Sequence, residues 1–176
     1  PFRCPPGPYE RISMIAHMLK QKNPTAKIIV LDPKEKFSKQ ALFMEGWEKH
    51  YPGMVEWIPA SVHGGVKSVN TETMVIETDI DEFKADAATV IPAQKAGQIA
   101  QMAGLTNDKG WCPINPATMQ SAKDEHVYVI GDASVASAMP KSGFSANSQA
   151  KVAAMHIRGE LTGSKVFPAR YANTCW

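Results

Sequence analysis

Three stretches carry residue types that can do chemistry together. The first is "RCPPGPYE", where Cys4 precedes Pro5, Pro6, Gly7 and Pro8 at the start of a helical pattern. A dinucleotide phosphate turn needs glycines, because backbone N–H groups must approach the pyrophosphate closely. Here the prolines remove such donors and only Gly7 remains. A thiol at this place suits other chemistry. The helix dipole favours a thiolate, Arg3 adds positive charge, and the thiolate is the attacking form in disulfide exchange. Glu10 stands about one turn into the helix, as a proton carrier beside the thiol or simply as an acid favoured by the dipole.

The second stretch is "YVIGDAS" with "MPKSGFSANSQAK". Asp132, at the end of an apolar run, can accept hydrogen bonds from ribityl hydroxyls, and Gly131 lets the chain pass close to a ligand. Pro140, Lys141, Ser142, Gly143 and Phe144 then lead into a helix read from Ser145 to Glu160. The first N–H groups of that helix suit negative charge on a reduced flavin ring. The third stretch is "YANTCW". Cys175 there is either a packing residue or, if paired with Cys4 across a flavin, half of a redox disulfide. Cys112, in "GWCPINP", reads as the unpaired bystander. The sequence has no CxxC and no zinc-type spacing, and His17 and His63 have no ligand-type neighbours.

These residues need elements to hold them. Apolar positions Ile12, Ile15, Ala16 and Leu19 give helical spacing over about 9–21, and "KIIVLD" is a short buried strand. Helix, turn and buried strand are the latter part of a βαβ unit. Asp32 ends that strand 25 residues after Gly7, where a ribose-binding acid would lie. The disabled phosphate turn favours the simpler reading that Asp32 caps the loop before Pro33. "SKQALFMEGWEKHY" reads as a second helix with Ser38 as N-cap, and "MVEWIPA" as a strand. "GGVKSVNTETMVIET" gives two strands across a turn at Asn70–Glu72. "DEFKADAATVIPAQ" suggests another pair ending in a buried run over 87–91. "AGQIAQMAG" is a short helix ended by Gly104, and Val127 to Ile130 read as a buried strand.

The predicted fold class is α/β. A Rossmann-type half-domain with an inserted antiparallel β-meander spans 1–86, and part of a flavin-binding domain spans 87–162. The start of a C-terminal interface domain spans 163–176. The 176 residues, at net charge +2, give no nucleic-acid footprint and no polybasic membrane anchor. No run of 18 apolar residues is present and no signal peptide is visible, and the chain reads as an internal piece of a longer protein.

Together "RCPPGPYERISMIAHMLK", "FKADAATVIPAQKAGQIAQMAGLTNDKGWCP", "VYVIGDASVASAMPKSGFSANSQAKVAA" and "YANTCW" resemble the flavoprotein subunit of flavocytochrome c sulfide dehydrogenase. That family belongs to the disulfide-reductase-like flavoproteins and is related to sulfide:quinone oxidoreductases. The resemblance implies oxidation of sulfide to sulfur or polysulfide, with electrons passing to FAD and then to haem c on a c-type cytochrome subunit. It implies a redox-active pair at Cys4 and Cys175, an active-site carboxylate at Glu10, and FAD contacts at Gly131, Asp132 and Pro140 to Ser145. It also implies a periplasmic location, where a disulfide persists. The sequence contains no G-x-G-x-x-G, so the 176 residues alone are expected to hold FAD weakly. The rival readings are an NAD(P)H-dependent flavin disulfide reductase, a sulfide:quinone oxidoreductase and a non-catalytic docking domain.

Overall fold

The computed structural model describes residues 4–174, and the chain divides into two compact units, residues 1–92 and 93–176. In the first unit, α1 (Gly7–Lys22) begins with Pro8 in its first turn, where a missing N–H costs nothing. The carbonyl of Pro6 instead accepts from the N–H groups of Tyr9 (3.0 Å) and Glu10 (3.1 Å). Glu10 in the first turn and Lys20 and Lys22 in the last complement the helix dipole. The helix ends where the Asn23 N–H bonds Leu19 O at 2.7 Å, just before Pro24.

Strand β1 (Ile28–Leu31) pairs in parallel with β2 (Val55–Ile58), from Ile28 opposite Val55 to Leu31 opposite Ile58. The connection between them carries α2 (Gln40–His50), as a parallel pair requires. Tyr9, Phe37 and Trp47 are buried at the centre of this unit, packed by Ile12, Phe43, Tyr51, Val55 and Trp57. Each such ring contributes roughly 1.5–3 kcal/mol by leaving water. The Tyr9 and Phe37 rings stack with centroids 3.7 Å apart and planes 17° apart, worth about 1 kcal/mol more. Ser13 Oγ ties α1 to α2 by accepting from Trp47 Nε1 at 2.8 Å.

Ser38 does not cap α2. Phe37 is drawn into the aromatic cluster, so the chain turns through Lys39 in the left-handed region (φ 59°) before the helix begins at Gln40. A short helix, α3 (Ala60–His63), follows β2. Then β3 (Val66–Asn70), β4 (Val75–Thr78) and β5 (Glu82–Lys84) form the antiparallel meander. Its first turn is closed by Asn70 Oδ1, which accepts from the N–H groups of Glu72 and Thr73, both at 3.0 Å. The first unit is therefore α/β with the antiparallel insertion that the sequence suggests. The run at 87–91 differs from expectation: it forms no strand, and Val90 and Ile91 are exposed. An apolar run is buried as a strand only where neighbours pair with it, and none of the described strands does.

The second unit holds α4 (Gln98–Met102), followed by Gly104 at φ 69°. A two-residue parallel pair joins β6 (Cys112–Pro113) to β7 (Ser134–Val135), and the long helix α5 (Gly143–Thr162) follows. Two apolar clusters fill it. One surrounds Ala96, Leu105 and Cys112, and the other Ile114, Met119, Ala136, Val152 and Ala153. Val127 to Ile130 are not a regular strand. They are extended and half-buried or exposed, held by one antiparallel bridge between Tyr128 and Gln120. The hydrogen-bond ladder that a central strand requires is missing there, although Val127 and Val129 still pack on the core. Among the described residues no helix is long and apolar enough to cross a membrane.

Candidate active site

In the first unit the site is built on the first turn of α1. Cys4 is exposed and has no disulfide partner among the described residues. Its Sγ lies over Gly7, 3.0 Å from the place a Cβ would occupy there. A side chain at this position would push the sulfur away, so Gly7 makes room for the thiol rather than for a phosphate. Glu10, three residues on, shares the Gly7 face of the helix, because i and i+3 positions stand about 5–6 Å apart. Cys4, ahead of the helix, and Glu10, in its first turn, are both exposed.

Asp32, at the end of β1, is only 2% exposed. Its Oδ2 accepts from the Tyr9 hydroxyl at 2.5 Å and from Trp57 Nε1 at 3.0 Å, and its Oδ1 accepts from the Lys34 N–H at 3.1 Å. The carboxylate caps the loop after Pro33 and is fully engaged inside the protein, which leaves it unable to receive a ribose. Burial, then the hydrogen bond and charge of Asp32, push the Tyr9 phenol well above its ordinary range, so it remains a protonated donor. Burial also lowers the Lys34 ammonium, against the opposing pull of Asp32. His63 is buried on the same network. Its Nδ1 accepts from the Gly65 N–H at 3.2 Å, so Nε2 donates to the Asp32 carbonyl at 3.0 Å. Among the described residues no group of three or more His, Cys, Asp or Glu side chains could hold a metal ion.

In the second unit the site gathers at the start of α5. Ser142 is the N-cap: its Oγ accepts from the Ser145 N–H at 3.1 Å. Ser142 Oγ and Ser145 Oγ then both donate to Asn173 Oδ1, at 2.6 and 2.8 Å. Asn173 is delivered by an extended segment tied to α5. Val166 lies against Gly159, and the Ala172 N–H bonds Ser148 Oγ at 3.0 Å. Lys141 Nζ donates to the Ser134 carbonyl at 2.5 Å and so fixes the turn before the helix. Gly131 takes a left-handed φ of 70°, its N–H donates to Gln149 Oε1 at 2.6 Å, and a Cβ there would sit 3.5 Å from the Ala146 side chain. Asp132, Pro140, Gly143 and Phe144 are exposed, whereas Ser145 is buried.

A cavity of about 380 Å³ opens beside this helix end, lined by Met119, Ala136, Met139, Pro140, Tyr171 and Asn173 among others. Its size falls within the usual range for small-molecule sites, about 300–1,000 Å³. A flavin ring needs an apolar slot and fixed dipoles at the edge that becomes negative on reduction. The cavity offers an apolar wall with Asn173 on it, beside the Ser142-capped start of α5, so the residues present fit a flavin ring.

The predicted residues therefore form two groups: Cys4 with Glu10, and Gly131 with the Pro140–Ser145 turn. Cys175 and Arg3 lie outside the described residues. Cys112 is fully buried in β6, and burial raises its thiol pKa, as suits a packing residue. Sequence reasoning missed Tyr9 and Trp57 as the partners of Asp32, and Asn173 as the partner of both serines. A buried aspartate at a strand end that is denied its ribose was the available signal for the first.

Residues 1–92 match the family model for the central region of the flavoprotein chain of sulfide dehydrogenase (flavocytochrome c). The match covers just over half of the 176 residues and contains the Cys4 turn, Glu10 and the Asp32 network. The second unit adds a turn and helix end suited to a flavin. The chain belongs to the family of flavoprotein chains of flavocytochrome c sulfide dehydrogenase.

Proposed function

We propose that this chain is the sulfide-oxidising part of a periplasmic flavocytochrome c, in which Cys4 and Cys175 form the redox disulfide. The observation that carries this reading is the exposed Cys4 thiol seated on Gly7 with Glu10 on the same helical face. Hydrosulfide attacks one sulfur of the disulfide. A new S–S bond forms to that cysteine as the old one breaks, leaving a persulfide on it and a thiolate on the other. Two-electron oxidation of the persulfide and thiolate then re-forms the disulfide and releases the sulfur at the zero-valent level with one proton. Glu10 takes the proton. Bound FAD would supply the two-electron acceptor, with haem c on the cytochrome subunit as the onward one-electron acceptor. The Ser145 end of α5 and the Asn173–Ser142–Ser145 cluster hold the polar edge of the flavin site.

A nicotinamide-dependent reductase would need a phosphate turn and a ribose acid. The prolines at 5, 6 and 8 and the engaged Asp32 argue against both. The test uses the full flavoprotein chain with its cytochrome subunit, under anaerobic conditions. Sulfide is expected to bleach the flavin band and then reduce the haem, and NADH is expected to do neither. Rapid bleaching by NADH with none by sulfide would replace this reading with the reductase.

A further inference from the structure

The Cys4 turn is stiff, and a stiff arm sets the position of its tip only if its base is fixed. From Pro5 to Tyr9, three of the five residues are proline, whose rings restrict φ, and Pro6 stands at φ −87°. The base of this arm is Tyr9. Its ring is 1% exposed and stacked on Phe37, its N–H bonds the Pro6 carbonyl, and its hydroxyl bonds Asp32 at the end of β1. Trp57 donates to the same carboxylate oxygen but belongs to β2, so it holds the acid without holding the arm.

We infer that Tyr9 is the positioning residue for the Cys4 thiol: its bond to Asp32 locks the proline arm and keeps the sulfur seated on Gly7. The carboxylate that a dinucleotide-binding relative would offer to a ribose serves here as the anchor for a thiol. The inference rests on the proposed role of Cys4 in sulfide oxidation, but its geometry does not need that role.

The test compares Tyr9→Phe with Trp57→Phe in the full flavoprotein chain with its cytochrome subunit. Each variant removes one donor from Asp32, and only the first acts on the arm. Two quantities are read: kcat and KM for sulfide per bound flavin, and the rate at which iodoacetamide labels the Cys4 peptide after reduction by dithiothreitol. For Tyr9→Phe, kcat should fall about tenfold at unchanged KM, because a small misplacement of a reacting group is costly. Labelling of Cys4 should rise at least about twofold as the sulfur leaves Gly7. Trp57→Phe should match the parent in both. A purely structural role would lower the yield of flavin-loaded protein and leave kcat per flavin and labelling unmoved.

Parental labelling in Tyr9→Phe, or an equal change in Trp57→Phe, would overturn the inference. Should Tyr9→Phe yield no folded protein, Asp32→Asn weakens the same bond and is compared with Trp57→Phe in the same way. If the parent protein does not oxidise sulfide, the functional reading fails, while the labelling comparison still decides the positioning role.

Discussion

Replacing Cys4 by serine in the full flavoprotein chain is expected to lower sulfide-dependent cytochrome reduction by about three orders of magnitude or more. A serine hydroxyl is close in size to the thiol and leaves Gly7 and the proline arm undisturbed. It can neither form the disulfide nor accept the incoming sulfur, so the loss falls on chemistry rather than on folding. Flavin content and thermal stability should stay near the parent values, since Cys4 is exposed and contributes no core area. Stopped-flow reduction of the flavin by sulfide measures the effect. Flavin reduction at the parental rate in Cys4→Ser would remove the disulfide from the mechanism.

Glu10→Gln should have the next largest effect, lowering kcat by about 100-fold, the lower end of the range for a positioned proton carrier. The carboxylate stands on the exposed first turn of α1, on the face that carries the Cys4 sulfur. Glutamine keeps the length and the helix while removing the proton-accepting oxygen. The change costs only the small dipole contribution of an acid in the first turn, about 0.3–1 kcal/mol. Steady-state turnover with sulfide, set beside urea denaturation of the same sample, separates the two effects. A kcat within about threefold of the parent would assign Glu10 to the dipole alone.

Much of the architecture was legible because local pattern and tertiary packing agree. The Ile12–Leu19 spacing gave α1, "KIIVLD" gave β1, and the Asn70 turn gave the first meander hairpin. The helix after the Pro140–Ser145 turn also runs as its small residues suggest, with Ser142 as its cap. The misreadings share a cause. The runs 87–91 and 127–130 are apolar enough for strands, but a strand exists only where a neighbour completes its ladder, which no local pattern specifies. Ser38 lost its capping role because Phe37, one residue earlier, packs into an aromatic cluster assembled from distant positions.

The same limit hid part of the site. Tyr9 and Trp57 reach Asp32 from 23 and 25 residues away in sequence, and Asn173 reaches Ser145 from 28. Residues that touch the chemistry were visible by type, as thiol, carboxylate and glycine turn. Residues that hold them in place were visible only once the chain was folded. Asp32 keeps the loop-capping role read from the sequence, and the structure adds Tyr9 and Trp57 as side-chain donors to its carboxylate.

The most direct test of the central claim is non-reducing peptide mapping of the oxidised full flavoprotein chain, with free thiols blocked before digestion. One cross-linked species joining the Cys4 and Cys175 peptides is expected, lost on incubation with excess sulfide, with Cys112 recovered as a blocked free thiol. Recovery of both Cys4 and Cys175 as blocked thiols from oxidised, flavin-loaded, active protein would contradict it.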